Sequence, residues 1–257
     1  MISNRAGLLP WLLSFFSTSL LAGYAAEMPS PLKVLYLSGG CCHDYRAQAP
    51  HLTTNISQLV NVKFDVRFGL DLLVKPTFAD GFDVVFYNFC DEDAPRPIIE
   101  HALAATRDGK PTVMMHCAVH ALRNSSLIRD WEILCGMRSK VHDPYEPFAV
   151  IKVDPASPIT KSFPDQWTTP GDELYQTIAF EPVSHALLKA KSPKDGREHI
   201  VCWTREFGQG RVFSTTLGHD MKTCSTPEFH RLLANGLLWA CGKLLPDGTP
   251  VTGYGLR

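Results

Sequence analysis

The chain has 257 residues, of which 25 are Lys or Arg and 26 are Asp or Glu, for a formal net charge of −1. No basic run stands out along it, which argues against a nucleic-acid partner, because neutralising phosphates takes clustered Lys and Arg. It is long enough to fill one α/β domain with a full core, and eight Cys without a CxxC spacing exclude a disulfide-dependent miniprotein.

At the N-terminus, Arg5 precedes an apolar run from Leu8 to Leu21, and Ala22-Gly-Tyr-Ala-Ala supplies small residues for cleavage. Residues 1–25 therefore read as a secretory signal cut after Ala25. An uncleaved anchor is the alternative, since the run is near the lower limit for a span. Pro10 and the small-residue end favour cleavage. A secreted or periplasmic protein is expected, with a mature terminus close to Ala26, no membrane contact after cleavage, and a folded domain over residues 33–244.

Beyond the leader, apolar runs of strand length alternate with helical patterns, which predicts a mostly parallel sheet flanked by helices on both faces. Lys33 to Gly40 is the first strand, and Pro50 to Val60 has helical spacing at Leu52, Ile56, Leu59 and Val60. Val62 to Phe68 alternates as a second strand, and Asp83 to Phe89 is the near-continuous apolar run of a strand covered on both sides. Pro95 to Arg107 reads as a helix with proline in its first turn and Gly109 beyond its end. Thr112 to Met115 is the fourth strand and Leu127 to Cys135 a short helix. The Pro-rich stretch from Gly136 to Gly171 reads as an excursion with one strand, Phe148 to Val153, placed where a lid or substrate loop would be. His199 to Thr204 and Arg211 to Thr216 flank Phe207-Gly-Gln-Gly as a hairpin, and Pro227 to Leu244 is the closing helix, burying Phe229, Leu232, Leu233 and Leu237.

Five reactive side chains fall just past predicted strands: His43, Cys90, Asp91, His116 and His219. An open α/β sheet binds its ligands outside the carboxyl ends of its strands, so these residues mark one candidate site. His43 follows a glycine pair and can act as acid, base or metal ligand, leaving Asp44 to cap the next helix. His116 ends a buried strand, so its ring nitrogens need a metal, a polar substrate or a buried hydrogen bond. His120 shares a face with His116 only if a helix begins at once. His142, in Lys140-Val-His-Asp on the excursion, can contribute a ligand or a proton. Asp220 either orients His219 or caps the next turn.

Gly208-Gln-Gly210-Arg211 lies between two strands and is no nucleotide fingerprint, so no nucleotide cofactor is expected. Trp203, Phe207 and Trp239 read as core aromatics before sugar-stacking ones. Cys135, Cys202 and Cys241 read as small buried apolar residues, and the neighbours Cys41 and Cys42 as a pair that does not bridge to itself.

Several of these residues stand in an ordered set. Gly39-Gly-Cys-Cys-His43-Asp44-Tyr45, Met115-His116, Asp172-Glu173-Leu174-Tyr175, Gly208-Gln-Gly-Arg211-Val-Phe, Gly218-His219-Asp220 and Asn235-Gly-Leu-Leu-Trp239-Ala follow one another through the chain. In that order they resemble the ThuA-like, or trehalose-utilisation, family. The resemblance implies a flavodoxin-like fold akin to class I glutamine amidotransferase domains, and a link to carbohydrate metabolism through glycosides or 3-keto sugars. It also raises Glu173 from a turn acid to the carboxylate partner of the histidines, able to complete a metal site or act as general base.

The leading expectation is thus an enzyme that hydrolyses or isomerises a small-molecule sugar, with His43, His116, Glu173 and His219 as its catalytic residues. A divalent metal, zinc by ligand type, is expected on His116, His142 and His219. One rival is a non-catalytic sugar-binding module. The other is a thiol-dependent, amidotransferase-like hydrolase using Cys117, although Met115 and Val119 replace the small residues usual around a nucleophile elbow.

Overall fold

Leu32–Gly40 forms β1 because an unbroken apolar stretch suits a strand covered on both faces. Val34 and Tyr36 enter one core, while Leu35 and Leu37 enter another on the opposite face. The same division holds in β3 (Val84–Cys90), where Val84 and Phe86 face one core and Val85, Tyr87 and Phe89 the other. Period-two alternation thus builds two cores around one sheet. Helices α1 (Tyr45–Ser57) and α4 (Pro227–Ala240) cover the first face, and α2 (Arg96–Arg107) and α3 (Ile128–Cys135) the second.

The structure is a computed structural model that describes Met1 and residues 28–256. The secretory-signal reading of residues 1–25 lies outside the described residues. Among those described, no helix is long and apolar enough to cross a membrane.

With β2 (Val62–Phe68), β4 (Thr112–Met115) and β11 (Gly210–Thr215), the parallel part of the sheet runs in the order β2-β1-β3-β4-β11. This is the flavodoxin-like order, and its direction reverses between β1 and β3, where such sheets hold their ligands. From β11 the sheet continues antiparallel through β10 (Glu198–Phe207), β9 (His185–Lys191), β6 (Ala149–Lys152) and β7 (Gln166–Thr168). The hairpin at Phe207-Gly-Gln-Gly pairs Phe207 with Gly210 as expected.

The excursion differs from expectation. It holds three strands: β6 and β7 extend the sheet's edge, and β5 (Met137–His142) pairs with β8 (Tyr175–Phe180) in a separate two-stranded ribbon. These strands are short and only half buried, so pairing and not an apolar run decides them. The first helix starts at Tyr45, earlier than Pro50, because Asp44 caps it by accepting from the Ala47 N–H at 3.0 Å. The last ends at Ala240, with Gly242 at a φ of +67° just beyond it.

Candidate functional site

Gly40 sets the first wall of the crevice. At a φ of +94° it brings the end of β1 against β3, and a Cβ there would run into the Cys90 carbonyl. The turn that follows places His43 at the switch point and leaves Asp44 to cap α1. Cys41 and Cys42 form a disulfide between sequence neighbours, which corrects the expectation for this pair. Cys42 has a φ of +82°, and Cys90 Sγ lies 3.8 Å from Cys41 Sγ.

At the end of β4 the strained residue is His116, with a φ of +49°. A 3-10 turn begins at once, His116–Val119, and carries His120 into the crevice, where its ring stacks on Tyr175 at 4.1 Å. The loop after β11 supplies His219. Tyr175 opens β8, and Glu173 lies in the loop just before it.

Three imidazoles converge on one carboxylate. Glu173 Oε2 lies 3.1 Å from His219 Nδ1 and 3.6 Å from His116 Nε2, and its Oε1 lies 3.6 Å from His142 Nε2. His116 Nδ1 donates to the Thr216 carbonyl at 2.6 Å, which fixes its proton there and turns the Nε2 lone pair toward Glu173 and the Tyr175 hydroxyl, 3.3 Å away. His219 Nδ1 is close to Glu173 but is not oriented to hydrogen-bond with it. The His43 ring stands edge-on to His116 and His219 at 4.8 and 4.6 Å. Its Nε2 is 2.9 Å from Cys117 Sγ, while its Nδ1 is buried without a partner among the described residues.

Asp172 organises two of these groups, a role the sequence did not reveal. Fully buried, it accepts from the N–H groups of Glu173 at 2.8 Å, Gly218 at 2.8 Å and His219 at 3.1 Å. One carboxylate therefore pins the loop bearing Glu173 to the loop bearing His219. Asp220 takes the capping role, accepting from the Lys222 N–H at 2.9 Å and the Tyr145 hydroxyl at 2.6 Å. Trp203 is core, with its Nε1–H donating to the Cys135 carbonyl at 2.7 Å, and Trp239 packs under the Arg211 guanidinium. Phe207 lies beneath Arg107 and Arg205, and none of the three aromatics lines the crevice. Cys135 and Cys202 are fully buried and Cys241 partly so.

Burial alone would raise the Glu173 carboxyl, but the close approach of the His116 and His219 rings outweighs it and holds the carboxyl well below its usual range. The reverse balance raises His219, where Glu173 overcomes desolvation. Burial, followed by the neighbouring His116, lowers both His43 and His120 to about 3. The Cys117 thiol is pushed up, first by contact with Cys90 and then by burial.

A pH dependence follows from the two lowered histidines. Between the ordinary value of 6.5 and about 3 the unfolded chain binds protons that folded His43 and His120 refuse, so stability drops as pH falls through that window. The lowered His230 acts in the same direction, whereas the raised His219 loses its stabilising effect as pH rises. The denaturant midpoint of metal-free protein is expected to be lower near pH 5 than near pH 7, and a His43→Gln/His120→Gln double variant should show a smaller difference. An equal difference in both proteins would overturn this assignment.

The donor atoms of His116, Glu173 and His219 all lie within 4.8 Å of one another. Two imidazoles and a carboxylate suit a divalent ion such as zinc, and the unpaired His219 Nδ1 fits a ligand that accepts its lone pair. His142 lies outside this set and contacts the other carboxylate oxygen. The surrounding crevice has a volume of about 390 Å³ and includes His43, His120, His142, Tyr175 and Lys194 in its walls.

The chain belongs to the trehalose-utilisation (ThuA) family, whose model matches residues 33–240. A ThuA-like protein from Parabacteroides merdae ATCC 43184 superimposes with a TM-score of 0.70 at 20% identity, covering 89% of this chain and 98% of that one. A second, from Bacteroides uniformis ATCC 8492, gives 0.68 at 18% identity over 85% and 95%. A Thermoplasma acidophilum protein described as part of a GMP synthase gives 0.56 at 10% identity over 83% and 96%, in keeping with an amidotransferase-like fold. No curated protein matches the chain.

Proposed function

We propose that this ThuA-family protein is an exported enzyme that uses its His/Glu crevice, with a divalent metal, to hydrolyse or isomerise a glycoside or 3-keto sugar. The observation that carries the reading is Glu173, approached by His219, His116 and His142 at 3.1, 3.6 and 3.6 Å. Such a density of imidazole around one half-buried carboxylate has no evident use in packing. Family membership supports the sugar, and Arg5 with the apolar run after it supports export.

Zinc would be held by His116 Nε2, His219 Nδ1 and Glu173, and when bound it would polarise a sugar carbonyl or hydroxyl. The chain's own groups do the rest. Thr216 locks the His116 tautomer, and Asp172 keeps Glu173 and His219 in register. His43, held neutral, offers a ring nitrogen free of protein partners. The proton is taken up and returned by the free nitrogen of His43 or, where the metal rests on the histidines alone, by Glu173.

One contact favours a second reading. Cys117 Sγ and His43 Nε2 stand 2.9 Å apart, the spacing of a nucleophile and its base. Against it, the thiol is buried and pushed toward its neutral form. Calorimetric titration of metal-free protein with zinc, followed by a screen of glycosides and 3-keto glycosides with and without thiol alkylation, tests both. Zinc-dependent turnover that survives alkylation is expected; loss of activity on modification of Cys117, without zinc binding, would sink the metal reading.

His116→Ala is expected to weaken zinc binding by more than the roughly 10- to 100-fold that loss of an outer partner costs, while the fold stays cooperative. A collapse of thermal stability in the metal-free variant would mark His116 as a structural residue instead.

A further inference from the structure

Beside the crevice a second lobe of about 510 Å³ opens, and the two share His120, Arg123 and Lys140 in their walls. Four cations line this lobe, Arg123, Arg129, Arg138 and Lys140, against one acid, Glu132. Two of the four are already matched. Arg129 bridges Glu181 at 2.7 Å and Glu132 at 3.4 Å, and Arg123 lies 3.8 Å from Glu92. Arg138 and Lys140 have no ion pair among the described residues. Moreover, Arg138 Nε is buried with no hydrogen-bond partner. A guanidinium nitrogen held out of water and left unpaired lacks the acceptor that its geometry suits, a planar oxyanion.

Arg138, Lys140 and His142 follow one another along β5, so a single strand runs from this lobe to the carboxylate of Glu173. A molecule lying along it would have its anionic end against Arg138 and Lys140 and its reacting end beside Glu173. Two uncompensated positive charges in one cleft repel each other until such an anion enters, and they also draw it in from solution.

We propose that this lobe is an oxyanion subsite, and that the physiological substrate is an anionic sugar carrying a carboxylate or a phosphate. The subsite deepens the sugar reading and rests on it for the sugar, but not for the anion.

Calorimetry on the full chain with D-gluconate, D-glucose 6-phosphate, D-glucose and inorganic phosphate tests it. One or both anionic sugars should bind about 10- to 100-fold more tightly than glucose, the range expected for charge-assisted hydrogen bonds. Gluconate and glucose 6-phosphate separate a carboxylate ligand from a phosphate. Arg138→Met/Lys140→Met should abolish the preference while zinc affinity at the histidines is kept. Arg138→Met and Lys140→Met singly, each checked by its melting curve, guard against a misfolded double variant and should each lose part of it. Glucose binding as tightly as both anionic sugars, or a preference that survives in the folded variants, would overturn the subsite and leave the sugar reading standing. Inorganic phosphate binding that depends on Arg138 and Lys140, with no added affinity from any sugar, would uphold the subsite and remove the sugar.

Discussion

Asp172→Ala is expected to destabilise the protein by about 3–5 kcal/mol and to abolish zinc binding in the same step. The carboxylate of Asp172 is fully buried and satisfies three backbone N–H groups. Truncation leaves those donors unmet, at about 1–3 kcal/mol for each one that water cannot reach. For a chain of this size the melting temperature should drop on the order of 10 °C. Because two of the three donors belong to Glu173 and His219, the loss falls on the site as well as on the fold. Urea titration with calorimetry on the same samples provides the check. A variant with unchanged stability would show that the two loops are held by other contacts, and one that keeps its zinc affinity would remove Asp172 from the site's support.

Glu173→Gln is the larger effect on chemistry. Turnover should fall by roughly 10²- to 10⁴-fold, the range expected when a general acid or base is lost, with little change in stability. The amide keeps the shape and can still hydrogen-bond, but it neither accepts a proton at neutral pH nor offers a metal a charged oxygen. Metal content separates the two roles: retained zinc with lost turnover makes Glu173 the base, and lost zinc makes it a ligand. Unaltered turnover together with unaltered zinc content would remove both roles.

The parallel half of the sheet was legible because strands covered on both faces read as apolar runs, as in Leu32–Gly40 and Val84–Cys90. His43, His116 and His219 were legible for a related reason: each falls within a few residues of the end of such a run, and the topology of an open sheet makes run ends converge. Glu173 follows no run, and only its place in a family motif marked it. Asp172 sat in the same motif, yet its partners Gly218 and His219 lie 46 and 47 residues away, so no local pattern announces the clamp. The left-handed backbone at His116 had no signal in the sequence, since nothing but a histidine after an apolar run stands there. Strands β5 to β9 were largely missed, being short and half exposed, and they include the strand that carries Arg138 and Lys140.

The links that assemble the crevice also bear on how the chain acquires it. His43 meets Cys117 across 74 residues, His116 meets Thr216 across 100, and Gln48 donates to the His219 carbonyl across 171. Each closes a large loop, and the entropy of closing loops must be met before such contacts return anything, which slows folding and defers these links to its late stages. A fragment ending before β11 therefore lacks His219, and a partly folded chain has the donors without bringing them together. Any ligand that spans them recognises only the finished fold. Binding then raises global stability by mass action, by about 2.7 kcal/mol at a hundredfold excess over Kd, and hydrogen exchange should slow throughout the sheet and not only at the crevice.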